Sequence, residues 1–214
     1  MEADMAESIP AQQRQVLDRL LQRLGPQNWW QNDNRLADWI SMILVQQTTG
    51  RNTEKVIANM MPYMTVEQLA AMPTNELEQL IRPSGFYRQK TRSIQALLQW
   101  YQDHGAQLDS FKDVPTDELR ASLLSIRGVG DETADDMLLY IFDRPVFVAD
   151  NYARKLFARL GVGDYKTYAA MKQATTSLMD GISAATAQDW HAVIDEYGKS
   201  VRRQDDVDES WLIV

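Results

Sequence analysis

Apolar residues recur along almost the whole of this 214-residue chain at the three-and-four spacing of a helix face, and that periodicity constrains the fold more than any single motif. Val16, Leu17, Leu20, Leu21 and Leu24 form a first stripe, entered near Pro10 and stopped by Gly25-Pro26. Leu36, Trp39, Ile40, Ile43 and Leu44 form a second, and Ile94, Leu97, Leu98 and Tyr101 a longer third. Thr65 and Gln68 have capping-box spacing ahead of a short helix. Four more stripes follow. They run through Ala134, Met137, Leu138 and Ile141; through Leu156, Phe157 and Leu160, closed by Gly161; through Met171, Ala174 and Leu178; and through Trp190, Val193, Ile194 and Tyr197. The only extended-looking piece, Pro145 to Val148, is too isolated for a sheet. The chain reads as all-α.

A chain of this length buries a sizeable core without covalent staples, and it has none to use, because it contains no cysteine. That excludes disulfides, thiolate nucleophiles, thiolate zinc sites and cysteine-ligated iron–sulfur clusters. No apolar run approaches the ~18 residues of a membrane span, and Met1-Glu2-Ala3-Asp4 lacks the basic and apolar parts of a signal peptide. The expectation is a soluble, cytoplasmic protein with no membrane partner. The formal net charge of −8 argues against nucleic acid only until it is located. Glu2, Asp4 and Glu7 at one end and Asp205, Asp206, Asp208 and Glu209 at the other have no basic residue among them. Residues 9–204 hold 23 acids and 22 bases, so the body is close to neutral.

Pro-Thr-x-Glu-Leu occurs at Pro73–Leu77 and again at Pro115–Leu119, each time as a helix start, with Thr read as the cap and Glu in the first turn, where the dipole favours it. Each helix runs into a glycine turn, Pro83-Ser84-Gly85 or Arg127-Gly128-Val129-Gly130. The sequence is compatible with two tandem helix-turn-helix units or with two unrelated starts that use the same capping residues. In Ile126-Arg127-Gly128-Val129-Gly130, glycines on either side of an apolar residue permit positive φ and close approach of a foreign backbone. The helix N-terminus that follows suits a phosphate. The plain alternative is a tight turn with glycine C-caps, and Gly161-Val162-Gly163-Asp164 repeats the same letters at another helix end. Asp131 and Glu132 repel a phosphate unless they cap the helix or point away.

These features, in order, resemble the endonuclease III-like superfamily of helix-hairpin-helix DNA glycosylases over roughly residues 30–203. The resemblance rests on Leu44-Val45-Gln46-Gln47-Thr48, on Ser84-Gly85-Phe86-Tyr87-Arg88-Gln89-Lys90, on Ile126 to Ala134, and on Val148-Ala149-Asp150, where the acid follows Glu132 by 18 residues. It implies two all-α lobes with DNA in the cleft between them: residues 35–142 as a helical barrel ending in the hairpin helix, and residues 1–34 with 143–214 as the second lobe. Glu132 stands where strand-cleaving members carry a Schiff-base lysine, which a carboxylate cannot replace. Glu132–Asp135, Pro-Ser-Gly-Phe-Tyr and Trp29-Trp30 resemble the 3-methyladenine branch, which includes members without an iron–sulfur cluster. Gly50 stands where that branch usually has a base-stacking aromatic.

The resemblance implies a monofunctional glycosylase removing an alkylated purine, 3-methyladenine first, from double-stranded DNA as a monomer. No cofactor is implied, and at most a monovalent cation at the hairpin once DNA is bound. Asp150 is the catalytic candidate, its alternative a plain helix cap. Glu132 is the second catalytic candidate: it would face the active-site cleft and hydrogen-bond the base, hold water, or act from behind the residues that touch the substrate. Trp29 and Trp30 form a base-pocket wall or an anchor between two helices. Gln46 is the candidate wedge, with Gln47 the alternative in register. Gly128, Val129, Gly130 and Lys90 are the candidate phosphate contacts; Arg88 and Arg92 read equally well as a solvated helix face, and Lys155 as paired with an acid. His104 and His191 lack metal-ligand company and read as structural or surface residues. The competing function is a non-catalytic binder of DNA structure that keeps the hairpin and has lost excision.

Overall fold

In the computed structural model, residues 8–28, 34–202, 204 and 207–213 are described, and they fold into eleven α-helices joined by turns and short 3-10 segments, with no strand among them. The helices are α1 (Ile9–Leu24), α2 (Arg35–Leu44), α3 (Gly50–Met60), α4 (Val66–Ala71), α5 (Thr74–Ile81), α6 (Tyr87–Asp103), α7 (Thr116–Leu124), α8 (Asp131–Tyr140), α9 (Asn151–Arg159), α10 (Tyr168–Ala174) and α11 (Ala184–Val201). The fold is all-α. Trp29 and Trp30 lie outside the described residues, as do most of the acidic residues at the two ends.

Short polar side chains set many of the helix starts. Asn34, Thr49, Thr65, Asp150, Thr167 and Ser183 each accept a hydrogen bond from the backbone N–H three residues on, which satisfies a donor the helix itself leaves orphaned. The Pro-Thr-x-Glu-Leu starts work differently from the sequence reading. Pro73 and Pro115 occupy the cap position, at φ −55° in both, and Thr74 and Thr116 are already helical and cap nothing. Proline's fixed φ sets the entry angle in place of a side-chain bond. The stripe Met171–Leu178 also breaks: α10 stops at Ala174, the Thr175 hydroxyl bonds back to the Met171 carbonyl, and Leu178 belongs to a separate 3-10 turn.

The chain divides into two units, Trp30–Phe142 and Met1–Trp29 with Asp143–Val214. The first holds α2 to α8. Its aromatic centre has Trp39 edge-on to Trp100, Tyr101 and Phe142, and Trp100 stacked on Phe111 at 5.2 Å. Each such pair adds about 0.5–1.5 kcal/mol beyond simple burial. The second unit brings α1 onto α9, α10 and α11 around Leu17, Leu20, Phe157, Trp190 and Ile194, all buried. Its chain ends are sewn together by polar contacts. Gln13 donates to the Val162 carbonyl, Arg14 to those of Ser177, Leu178 and Asp180, and the Trp190 indole to Asp18.

Candidate functional site

In the unit Trp30–Phe142, three turns are tied together by side chains that spend their polar groups internally. The first follows α2. Thr48 N–H bonds to the Val45 carbonyl, closing a turn across Gln46 and Gln47, and Gln47 sits at φ +53°, a left-handed conformation uncommon for a side chain of this size. The second, Arg82–Phe86, leads into α6. The third is the hairpin between α7 and α8.

Lys90 joins the first two turns. Its Nζ donates to the Leu44 and Ser84 carbonyls at 2.7 Å each, and the residue is only 4% exposed. Burial pulls its pKa below the usual lysine value. This corrects the expectation of a phosphate contact: the ammonium is sequestered on two backbone carbonyls. The spacing Gly-aromatic-Tyr-x-x-Lys puts Lys90 one helical turn inside α6, on its buried face, a placement that periodicity alone does not reveal. Arg88 and Arg92 are exposed, with Arg88 lying 5.8 Å from the centroid of the Tyr87 ring.

Gln46 joins the first turn to the hairpin, donating from Nε2 to the Gly128 carbonyl (3.2 Å) and to the Thr133 hydroxyl (3.1 Å). Gln47 is exposed. The structure thus separates the two glutamines: one is a strut, the other points outward from a strained turn.

The hairpin uses its glycines unequally. Gly128 has φ +85°, and a β-carbon there would meet the Ser93 Oγ of α6 at 2.0 Å, so only glycine fits. Gly130 is extended, at φ −98°, with open space where a side chain would go, and it caps α8 without offering a side chain to the first-turn N–H groups. Val129 is corrected as a phosphate donor: its N–H bonds to the Ile126 carbonyl and its side chain is buried. Gly130 is the cap before α8, and the first-turn N–H groups of a helix start are of the kind that suit an anion. The second Gly-Val-Gly turn differs here. After Gly161-Val162-Gly163 no helix begins until Tyr168, and a β-carbon at Gly163 would meet the Tyr165 ring.

The two acids at the start of α8 have separate environments. Asp131 is drawn to Arg120 of α7 at 2.7 Å, and the same guanidinium reaches the fully buried Asp135 at 2.9 Å. Both carboxylates hold the Arg120 pKa above its ordinary value against the opposing effect of burial. Glu132 is exposed in the first turn of α8.

In the other unit, Asp150 is buried and caps α9, its Oδ1 accepting from the Ala153 N–H at 2.7 Å. The non-helical segment Pro145–Ala149, whose Val148 and Ala149 are buried, leads into it. The cap is real, and it leaves the carboxylate oriented by a helix N-terminus. Lys155 is exposed on α9. His104 packs at a tilt against Trp100, with ring centroids 4.5 Å apart, and shares a hydrogen bond with the Trp100 carbonyl, a structural role. The pKa of His191 is lowered to about 4, first by burial and then by Lys199. No group of three or more metal-ligating side chains occurs among the described residues, and none of their helices is long and apolar enough to cross a membrane.

A model of the HhH-GPD superfamily of base excision DNA repair proteins matches residues 40–180, the stretch that contains the turns, the hairpin and Asp150. The chain belongs to that superfamily. A Methanocaldococcus jannaschii protein described as a DNA repair glycosylase is 34% identical over 190 residues, 86% of each chain. Endonuclease III of Thermotoga maritima is 30% identical over 143 residues, 65% of this chain and 63% of that one. Among solved structures, the fold matches the Helicobacter pylori 3-methyladenine DNA glycosylase bound to 1,N6-ethenoadenine, with a TM-score of 0.72 and 22% identity, over 91% of this chain and 98% of that one. It also matches endonuclease III in a non-covalent DNA complex, with a TM-score of 0.74 and 24% identity, over 93% and 90%. At the level of the family, this HhH-GPD member is a DNA glycosylase of base excision repair.

Proposed function

We propose that this HhH-GPD protein is a monofunctional DNA N-glycosylase that excises an alkylated purine, 3-methyladenine first among them, from double-stranded DNA. The observation that carries this reading is Glu132 in the first turn of α8, where the resemblance places the Schiff-base lysine of strand-cleaving members. A carboxylate cannot form an imine with C1′, so water is left as the nucleophile. Asp150 supplies the rest of the chemistry. Breaking the glycosidic bond builds positive charge on the sugar, and an ionised carboxylate beside C1′ stabilises that cation and positions or deprotonates water. A purine alkylated at N3 already carries positive charge and departs neutral, so the leaving group needs no general acid. The phosphate backbone is held at the N-terminus of α8, and Gln47, outward from its strained turn, enters the stack beside the extruded nucleotide.

Alkylated duplex DNA incubated with the protein should release free modified base. Asp150→Asn should lower single-turnover release by about 10²-fold or more, while stability changes by less than about 1 kcal/mol, because asparagine caps a helix almost as well. Borohydride should trap no covalent adduct; a trapped adduct would overturn the monofunctional assignment.

A second reading has one observation in its favour. Gly50 begins α3 exposed, with open space where a β-carbon would stand, at the place where the 3-methyladenine branch usually has a stacking ring. The protein would then bind distorted DNA without excision. Absence of base release from a panel of alkylated and deaminated duplexes, with binding retained, would establish it.

A further inference from the structure

We propose that Gln46 is a positioning residue for base flipping: its carboxamide locks the wedge turn to the phosphate-binding hairpin and does not itself enter the DNA. The inference rests on the reading of Gln47 as the wedge. A left-handed glutamine costs on the order of 1 kcal/mol or more and persists only where its surroundings over-determine it. Those surroundings are visible on each side of Gln47. Upstream, the Leu44 carbonyl is held by the buried Lys90 ammonium. Downstream, the Thr48 hydroxyl accepts from the Asn52 side chain and Thr49 caps α3.

Gln46 adds the link that these anchors lack. By bonding both the Gly128 carbonyl and the Thr133 hydroxyl, it spans the hairpin from its left-handed glycine to the first turn of α8. The hairpin is itself rigid here, because Gly128 is pressed against Ser93 of α6. A phosphate gripped at the N-terminus of α8 and a wedge at Gln47 are therefore separated by one amide group and two hydrogen bonds. Displacement of the wedge during insertion is resisted by the same helix that holds the backbone, as prying a nucleotide from the stack requires.

The test uses the full chain and a duplex carrying a tetrahydrofuran abasic analogue beside 2-aminopurine, whose fluorescence rises when a wedge unstacks it. Gln46→Met keeps the bulk and removes the donor. It should slow the fluorescence rise about five- to tenfold, with affinity for undamaged duplex changed less than about twofold and the melting temperature within ~2 °C of wild type. Thr133→Val should slow it too, Thr133→Ser should restore it, and Gln46→Met with Thr133→Val should be no slower than the worse single variant. Gln47→Ala should abolish the rise. The proposal is overturned if Gln46→Met flips at the wild-type rate, if its effect multiplies with that of Thr133→Val, or if Gln46→Met abolishes the rise while Gln47→Ala keeps it. A wild-type rise with no base released from alkylated DNA would defeat the excision reading and leave this assignment standing.

Discussion

Gln47 and Lys90 show how much a single side chain's environment matters to its role. Gln47 is held at φ +53°, where glycine would be at ease. Gln47→Gly should therefore raise the unfolding free energy by about 0.5–1 kcal/mol while cutting single-turnover excision at least tenfold, as denaturation and base-release assays on the same preparation would show. An increase in both, or no gain in stability, would count against a strained wedge. Lys90 illustrates the opposite case: a basic residue beside exposed arginines that is turned inward onto two carbonyls. Charge type is written in the sequence, whereas the direction in which a side chain points within a helical turn depends on what packs around it.

At the scale of elements, α7 and α8 are joined by an ion pair as well as by the glycine turn. Arg120 is shared between the half-exposed Asp131 and the fully buried Asp135. The two contacts should differ greatly in worth. Arg120→Ala takes the guanidinium away from a fully buried carboxylate and should cost about 3–5 kcal/mol, whereas Asp131→Asn removes only a surface partner and should cost less than about 1 kcal/mol. Urea unfolding of the two variants checks this; equal costs would mean that Asp135 is solvated. Of the two acids that follow the hairpin, Asp131 is thus engaged by α7. The Pro-Thr-x-Glu-Leu repeats were legible as helix starts, but their capping was not, because proline at the cap leaves threonine one position too far along to reach back.

Across the whole molecule, the charge balance and one histidine set the response to solution conditions. The near-neutral body, with the phosphate grip proposed at the N-terminus of α8, predicts a shallow salt dependence of DNA binding, with log Kd against log salt having a slope of magnitude below about 4. Titration of a 20-base-pair duplex between low and physiological salt would measure it, and a steep slope would point to a lysine- and arginine-lined surface. His191 stays neutral in the native state down to about pH 4, whereas the unfolded chain takes up its proton near 6.5. The native state is therefore favoured above pH 6.5 and loses about 2 kcal/mol between pH 7 and 5. The half-buried Asp195 carboxyl, whose pKa is raised by desolvation, acts in the opposite sense at lower pH. His191→Asn should flatten the slope between pH 6.5 and 5 in chemical denaturation.

Helical class, most helix starts, the ordered motifs and the identity of Asp150 as an acid at a helix start were determined by sequence, because each depends on local periodicity or on residues within a few positions of one another; the stop of α10 at Ala174 was not. The sequence also determined that no cysteine could anchor a cluster. The division of labour between Gln46 and Gln47, the burial of Lys90, the use of Val129's amide within the turn and the sewing of α1 to the C-terminal half by Gln13 and Arg14 were decided only by tertiary structure. Each of those depends on which carbonyl or hydroxyl, tens of residues away, packing brings within hydrogen-bond reach, and no local pattern encodes that distance.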